Sequence, residues 1–258
     1  MGKDIIRNKR NLIKSRWPEL KREESDRKQG VPLPPMQKNL EPGARLIDLP
    51  DPDELTRAFG QELSLSDAIG RRQSHRKYSR EALKLQELAY LLWASQGVRK
   101  KSSKVTFRTV PSGGARQPFE TYLFVQRVEE LERGLYRYLP LDHQLAFLRP
   151  EGDFSAPLEE LLDEALLQHN FGAAVSFIWT AIPYRSEWAF DTEAARLILL
   201  DAGHLCQNLY LSCEAVSCGT CAVGAFDQEK VDQLLRVDGE EEFCIYAAPV
   251  GKKPNTEC

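Results

Sequence analysis

Arg71-Arg72-Gln73-Ser74-His75-Arg76 puts three guanidiniums and a hydroxyl into six consecutive positions. Planar guanidinium forks beside a serine hydroxyl suit an oxyanion such as a phosphate. Farther on, Pro111-Ser112-Gly113-Gly114-Ala115-Arg116-Gln117-Pro118 sets paired glycines just before a strand-like run. With no Cβ there, the backbone can approach a flat ligand closely. A third group is the C-x-x-C of Cys218-Gly219-Thr220-Cys221, with His204, Cys206 and Cys213 upstream of it. It admits a zinc or iron–sulfur site, a redox dithiol, or buried reduced thiols used as small apolar residues. A second C-x-x-C is absent, which favours the last reading over a metal. No Ser-His-Asp or paired-carboxylate arrangement stands out. His204 falls on an apolar helical pattern and reads as a core hydrogen-bonder rather than a base, and His75 is expected to face away from its neighbours in the motif.

The elements that would position these groups begin near Leu63. Ser66 is a candidate cap for a short helix running into the arginine motif. Leu85 to Gln96 has helical periodicity and stops at Gly97. Glu120 to Val128 reads as a strand, and Gly134–Tyr138 with Gln144–Leu148 as a hairpin. Leu158 to Gln168 is helical in pattern, and Ala173 to Ile182 is a short apolar run that fits a buried strand. Thr192 to Ala215 predicts a long helix that is apolar over most of its circumference, hence buried on several sides or in a dimer interface. Asp227 to Leu235 is a short helix and Glu242 to Val250 a last strand. Strands and helices interleave irregularly, which predicts an α+β sheet flanked by helices rather than a doubly wound fold.

Bulk properties bound the function. A chain of 258 residues can bury one full core, with or without an arm. Residues 1–62 are expected to form that arm and residues 63–258 the folded domain. Residues 1–30 carry ten Lys/Arg against five Asp/Glu, and a mixed helix over Asp4–Lys28 is expected, lying on the surface rather than binding nucleic acid. Residues 31–52 hold Pro32, Pro34, Pro35, Pro42, Pro50 and Pro52, which forces an extended strap over the domain or a partner subunit. A net charge of −3 argues against a nucleic-acid or membrane-surface binder. No apolar run reaches the ~20 residues of a bilayer span, and the first residues lack an apolar signal core. The six cysteines, gathered from Cys206 to Cys258, do not resemble a secreted disulfide scaffold, so a reducing, cytoplasmic setting is expected.

Arg72-x-Ser74-x-Arg76 resembles the opening flavin motif of the nitroreductase superfamily, whose members use flavin mononucleotide (FMN). Pro111-Ser112-Gly113-Gly114-Ala115-x-x-Pro118 resembles that family's loop beneath the isoalloxazine ring. Gly219 to Asp227 resembles the stretch whose backbone faces flavin N5, and Pro249-Val250-Gly251-Lys252 the C-terminal strand whose basic residue returns to the phosphate. The four pieces stand in the family's order from about Leu63 to Lys253, nearly three quarters of the chain. The resemblance implies that Arg72, Ser74 and Lys252 hold the phosphate and that Arg76 and Arg116 face the N1–C2=O edge. It places the backbone of Gly224 and Ala225 at N5, with Cys221 nearby, and Pro111 to Ala115 beneath the ring. It further implies a nitroreductase-like fold with a central, mostly antiparallel sheet, a homodimer, and two-electron ping-pong transfer. The donor would be NAD(P)H or an organic compound, and the acceptor a small molecule such as a nitro compound or quinone.

Gly134 to Tyr138 and Asp201-Ala202-Gly203-His204-x-x-Gln207-Asn208-Leu209 look most like the azoline peptide dehydrogenase (SagB-type) branch. Members of that branch often carry an aromatic-basic-aromatic triplet before Asp-Ala-Gly-His, where this chain has Ala195-Arg196-Leu197. That difference tells against azoline oxidation, which is kept as an alternative together with a flavin-binding or thiol sensor without fast turnover. The asparagine common in simpler nitroreductases is replaced by Ala115, so Arg116 or backbone groups would supply that polar contact.

Overall fold

Phe119–Val125, Gly134–Leu139 and Val175–Ala181 are strands buried along their whole length, so the middle of one sheet is covered on both faces. The computed structural model describes residues 12–60 and 63–254. In chain order the elements are α1 (Asp26–Gln29), β1 (Arg45–Asp48), α2 (Pro52–Phe59), α3 (Leu65–Arg71), α4 (Leu85–Gln96), β2 (Val98–Lys101), β3 (Thr106–Arg108) and β4 (Phe119–Val125). They continue with β5 (Gly134–Leu139), β6 (Gln144–Pro150), α5 (Leu158–Ala165), β7 (Val175–Ala181), α6 (Tyr184–Phe190), α7 (Ala194–Ala215), β8 (Cys218–Thr220), α8 (Gln228–Leu235) and β9 (Phe243–Lys252). The large sheet runs β1-β6-β5-β4-β7-β9-β8, with antiparallel pairing throughout, and β2-β3 form a separate hairpin.

The period of two in a strand sorts the core into two halves. Phe119, Leu123 and Val125 of β4 and Phe177 and Trp179 of β7 face one side, where α4 and α7 pack with Leu88, Leu91, Leu92, Leu205 and Leu209. Tyr122 and Phe124 of β4 and Ile178 of β7 face the other, beneath Leu158 and Leu162 of α5 and Val231 and Leu235 of α8. The antiparallel α+β architecture expected from the sequence is therefore present, with helices on both faces. No described helix is long and apolar enough to cross a membrane.

The N-terminal part differs from expectation. Over the described residues 12–28 the chain forms only single turns and the four-residue α1; the rest of the expected helix, residues 4–11, lies outside the described residues. Pro18 has no N–H and disfavours helical backbone at Trp17, which interrupts any longer helix there. The strap lies on its own domain. β1 pairs with β6, and Leu49 and Leu55 join the core, so residues 45–59 belong to the body and only the chain before them remains as an arm. The cap of α3 is Ser64, whose Oγ accepts from Asp67 N at 3.1 Å, and Ser66 falls within the first turn.

Candidate functional site

The arginine motif leaves α3 and continues as extended chain across the end of the sheet. His75 N donates to Thr220 O at 2.9 Å, Ser79 N to Lys252 O at 2.9 Å, and the Tyr78 hydroxyl lies 3.0 Å from Pro249 O. So close a crossing explains two glycines. A Cβ on Gly219 would sit 2.6 Å from His75, and one on Gly251 2.6 Å from Tyr78. The imidazole of His75 thus faces the strands, away from Arg72, Ser74 and Arg76, and burial together with Lys253 lowers its pKa.

Tyr210 of α7 ties this segment to the stretch after β8. The Ser74 and Tyr210 hydroxyls are 2.9 Å apart, and Ala222 N donates to the Tyr210 oxygen at 2.7 Å. The Arg72 guanidinium lies over the Tyr210 ring at 5.3 Å. Because Tyr210 accepts from Ala222, its own proton can go to Ser74, which leaves the Ser74 O–H free for an outside acceptor. Ser74 and Arg76 are exposed. Beyond Ala222, Val223 bridges to Ala247 in both directions. Gly224 and Ala225 then reach the surface, and neither N–H has a partner among the described residues. Two free N–H groups beside a guanidinium and a hydroxyl form a donor-rich surface.

The glycine loop is held from the other end of α7. The Asp201 carboxylate accepts from Gly113 N at 3.1 Å and takes a further hydrogen bond from Ser112, whose Oγ in turn accepts from Gln117 N at 2.9 Å. Burial pushes the Asp201 carboxyl above its ordinary range, and these hydrogen bonds pull it partly back. Gly114, at φ +56°, has no room for a side chain because Phe190 closes over it. Asp201→Ala leaves Gly113 N without its acceptor. We expect this to cost about 1–3 kcal/mol in urea unfolding and to loosen the loop. A groove of about 570 Å³ runs along this loop between Arg99, Thr106, Arg108, Ser112, Ala115 and Gln117.

The two motifs contact α7 at different points, Tyr210 and Asp201. Tyr210 lies nine positions beyond Asp201, which is roughly half a turn around α7 and ~13 Å along it. Arg72, Ser74, Gly224 and Ala225 therefore gather on one side, and Pro111 to Arg116 on another. Two of the candidate side chains are engaged within the protein. The Lys252 ammonium is 2.5 Å from Glu87 and 3.1 Å from Val216 O, only 8% exposed, and it ties β9 to the first turn of α4. Arg116 is turned inward, with its guanidinium 5.3 Å from the Trp188 ring and Nε donating to Gly114 O at 3.1 Å. Cys218 is part of the core, Cys221 is 4% exposed, and the described cysteines are free thiols. Burial pushes the Cys218 thiol up to about 12. Tyr210 has no local sequence signal; its role needs the contact with Ser74, far away in the chain.

The Nitroreductase family model matches residues 69–252. A Methanocaldococcus jannaschii protein named as a nitroreductase is 32% identical over 194 residues, which covers 75% of this chain and 93% of that protein. Among solved structures, one from Anabaena variabilis described as a nitroreductase superposes with a TM-score of 0.67 at 24% identity, over 83% of this chain and 42% of that one. A chain of the Escherichia coli microcin synthetase McbBCD complex, solved with truncated pro-MccB17 bound, superposes with a TM-score of 0.59 at 17% identity, over 75% of this chain and 74% of that one. With the family model covering most of its length, and an antiparallel sheet carrying the motifs in the family's order, this chain belongs to the nitroreductase family of oxidoreductases.

Proposed function

We propose that the protein is an FMN-dependent oxidoreductase that works as a homodimer. The observation that carries this reading is the Tyr210 hydroxyl. It brings the phosphate-suited Ser74 and Arg72 next to the stretch that ends in the free N–H groups of Gly224 and Ala225. These residues fit the cofactor: Arg72 and Ser74 would hold the phosphate, Arg76 would extend the positive surface toward the pyrimidine edge, and the two N–H groups would meet N5. Cys221 would border the ring as a thiol. FMN, once bound, supplies the two-electron chemistry between a donor such as NAD(P)H and a nitro or quinone acceptor. The chain's part is to orient the ring, exclude water and place positive charge where reduction adds negative charge.

Placement supports the homodimer reading. The glycine loop contacts α7 half a turn from Ser74 and Arg72, and a second copy would bring loop and phosphate motif to one ligand. Leu199 and Leu200 of α7 and Leu65 and Ile69 of the adjacent α3 are 48–67% exposed, which gives that copy an apolar face to cover. We expect light scattering at micromolar concentration to report twice the chain mass of 29.4 kDa. The purified protein should show flavin absorbance and oxidise NAD(P)H in the presence of a nitroaromatic. Colourless protein that gains no flavin on incubation with FMN overturns the cofactor assignment; flavin without turnover favours the sensor. Peptide tailoring remains a second reading because Asp201 to His204 matches that branch and the microcin synthetase chain shares the fold. Oxidation of an azoline-containing peptide, with no reaction toward nitroaromatics, would favour it.

A further inference from the structure

We infer that the N-terminal arm positions the glycine loop through the aromatic side chains of α6, so that Trp17 and Val31, far from the loop in sequence, set its rigidity. The inference rests on the cofactor reading for its functional consequence but not for its structural one. α6 lies between arm and loop, and each side is in contact. On the arm side, the Trp17 ring meets Phe190 edge-on at 5.6 Å, and Arg22 lies over Trp17 at 5.3 Å. The Trp188 indole donates to Val31 O at 2.9 Å, and the Tyr184 hydroxyl to Asp26 at 2.6 Å. Arg16 N adds a hydrogen bond to Glu193 Oε1 at 3.0 Å, just past the end of α6.

On the loop side, the same rings are in use again. Phe190 packs so closely over Gly114 that a Cβ there would stand 2.6 Å from its ring. Trp188 carries the Arg116 guanidinium on its face. Arg116 is 8% exposed, and its other partners are the carbonyls of Gly114 and Lys104 rather than a carboxylate. Burial lowers its pKa, and Arg27 of the arm lowers it further. A buried cation held only by carbonyls and an aromatic face depends on that face staying in place. Two relays therefore run from arm to loop, Trp17–Phe190–Gly114 and Val31–Trp188–Arg116.

The loop needs such support. Gly114, Ala115 and Gln117 all have positive φ, a conformation that surrounding contacts must maintain at the two non-glycine positions. Asp201 fixes the loop's start; the arm, through α6, fixes its crest. Trp17 and Trp188 are positioning residues in this arrangement, since neither lies on the surface formed by Arg72, Ser74 and Gly224.

Hydrogen–deuterium exchange on the full chain tests this. Trp17→Ala is expected to speed exchange across residues 112–117 at least tenfold while β4 and β7 keep wild-type protection, and Trp17→Phe is expected to restore most of it. Unchanged exchange in the loop overturns the inference. So does a loss of protection spread equally through β4 and β7, which would report global destabilisation. FMN titration of the same variants reads the functional consequence, with weaker binding expected for Trp17→Ala alone. If wild-type protein binds no FMN, the cofactor reading fails while the exchange result still decides the role of the arm.

Discussion

Arg72→Ala combined with Ser74→Ala is expected to weaken FMN binding by roughly a hundredfold or more. A charge-assisted hydrogen bond contributes about 1.5–3 kcal/mol, and the double change removes the guanidinium over Tyr210 and the hydroxyl whose proton Tyr210 leaves free. Both side chains lie outside the core, so the fold should survive. Far-ultraviolet circular dichroism and the unfolding midpoint are expected to stay near wild type. Fluorescence titration of the apoprotein with FMN measures the effect, and wild-type affinity in the double variant would falsify the phosphate assignment. Lys252→Met is the counter-test. Its ammonium is engaged with Glu87 and Val216 O, so losing it should lower stability, leaving Glu87 buried without its partner. The folded fraction should bind FMN within a few-fold of wild type.

This contrast marks what a sequence discloses. Local pattern placed the helix at Leu85–Gln96, because periodicity and the Gly97 stop agree. It also placed the β5–β6 hairpin and the long α7. Motif order suggested Arg72 and Ser74 for a phosphate and Gly224 and Ala225 for flavin N5, and Tyr210 joins Ser74 to Ala222, two positions before Gly224. What it could not show were the contacts that decide whether a charged group is available. Lys252 meets Glu87 across 165 residues of chain, and nothing beside either residue in sequence announces it. Arg116 looks free in sequence and is held by Trp188 of a helix, α6, that short apolar pattern did not reveal. Tyr210 reads as one more apolar-face residue of α7 until Ser74 and Ala222 are brought to it. The arm divides. The helix expected from mixed charge over Asp4–Lys28 is present among the described residues only as single turns and α1, whereas the proline-rich strap expected over residues 31–52 is held to the domain by buried arginines at Met36, Lys38 and Asn39.

Those buried arginines carry the second large effect. Glu120 is 2% exposed and accepts from Arg185 at 2.5 Å and from Lys38 N at 2.8 Å, with Arg137 Nε 3.9 Å away. Glu242 beside it accepts from Tyr122, Thr180 and Lys38 Nζ. Arg137 donates to the carbonyls of Lys38 and Asn39, and Arg108 to that of Met36. The network thus joins β4, β5, β7 and β9 to the strap. Burial lowers Arg108 to about 10, and Glu120 acts against that shift. Removing Glu120 leaves the buried Arg185 guanidinium without its carboxylate and Arg137 without its nearest one, and breaking a buried pair in this way costs about 3–5 kcal/mol. Glu120→Ala is expected to lose that much in urea unfolding and to expose the strap to trypsin at Lys38. Should Glu120→Ala fail to fold, Glu120→Gln keeps the shape and one acceptor while removing the charge, and about half the loss is expected. An exposed change such as Glu160→Ala should stay within about 0.5 kcal/mol of wild type. If Glu120→Ala also unfolds within that margin, the network does not hold the strap, and β1 alone must keep residues 36–44 on the domain.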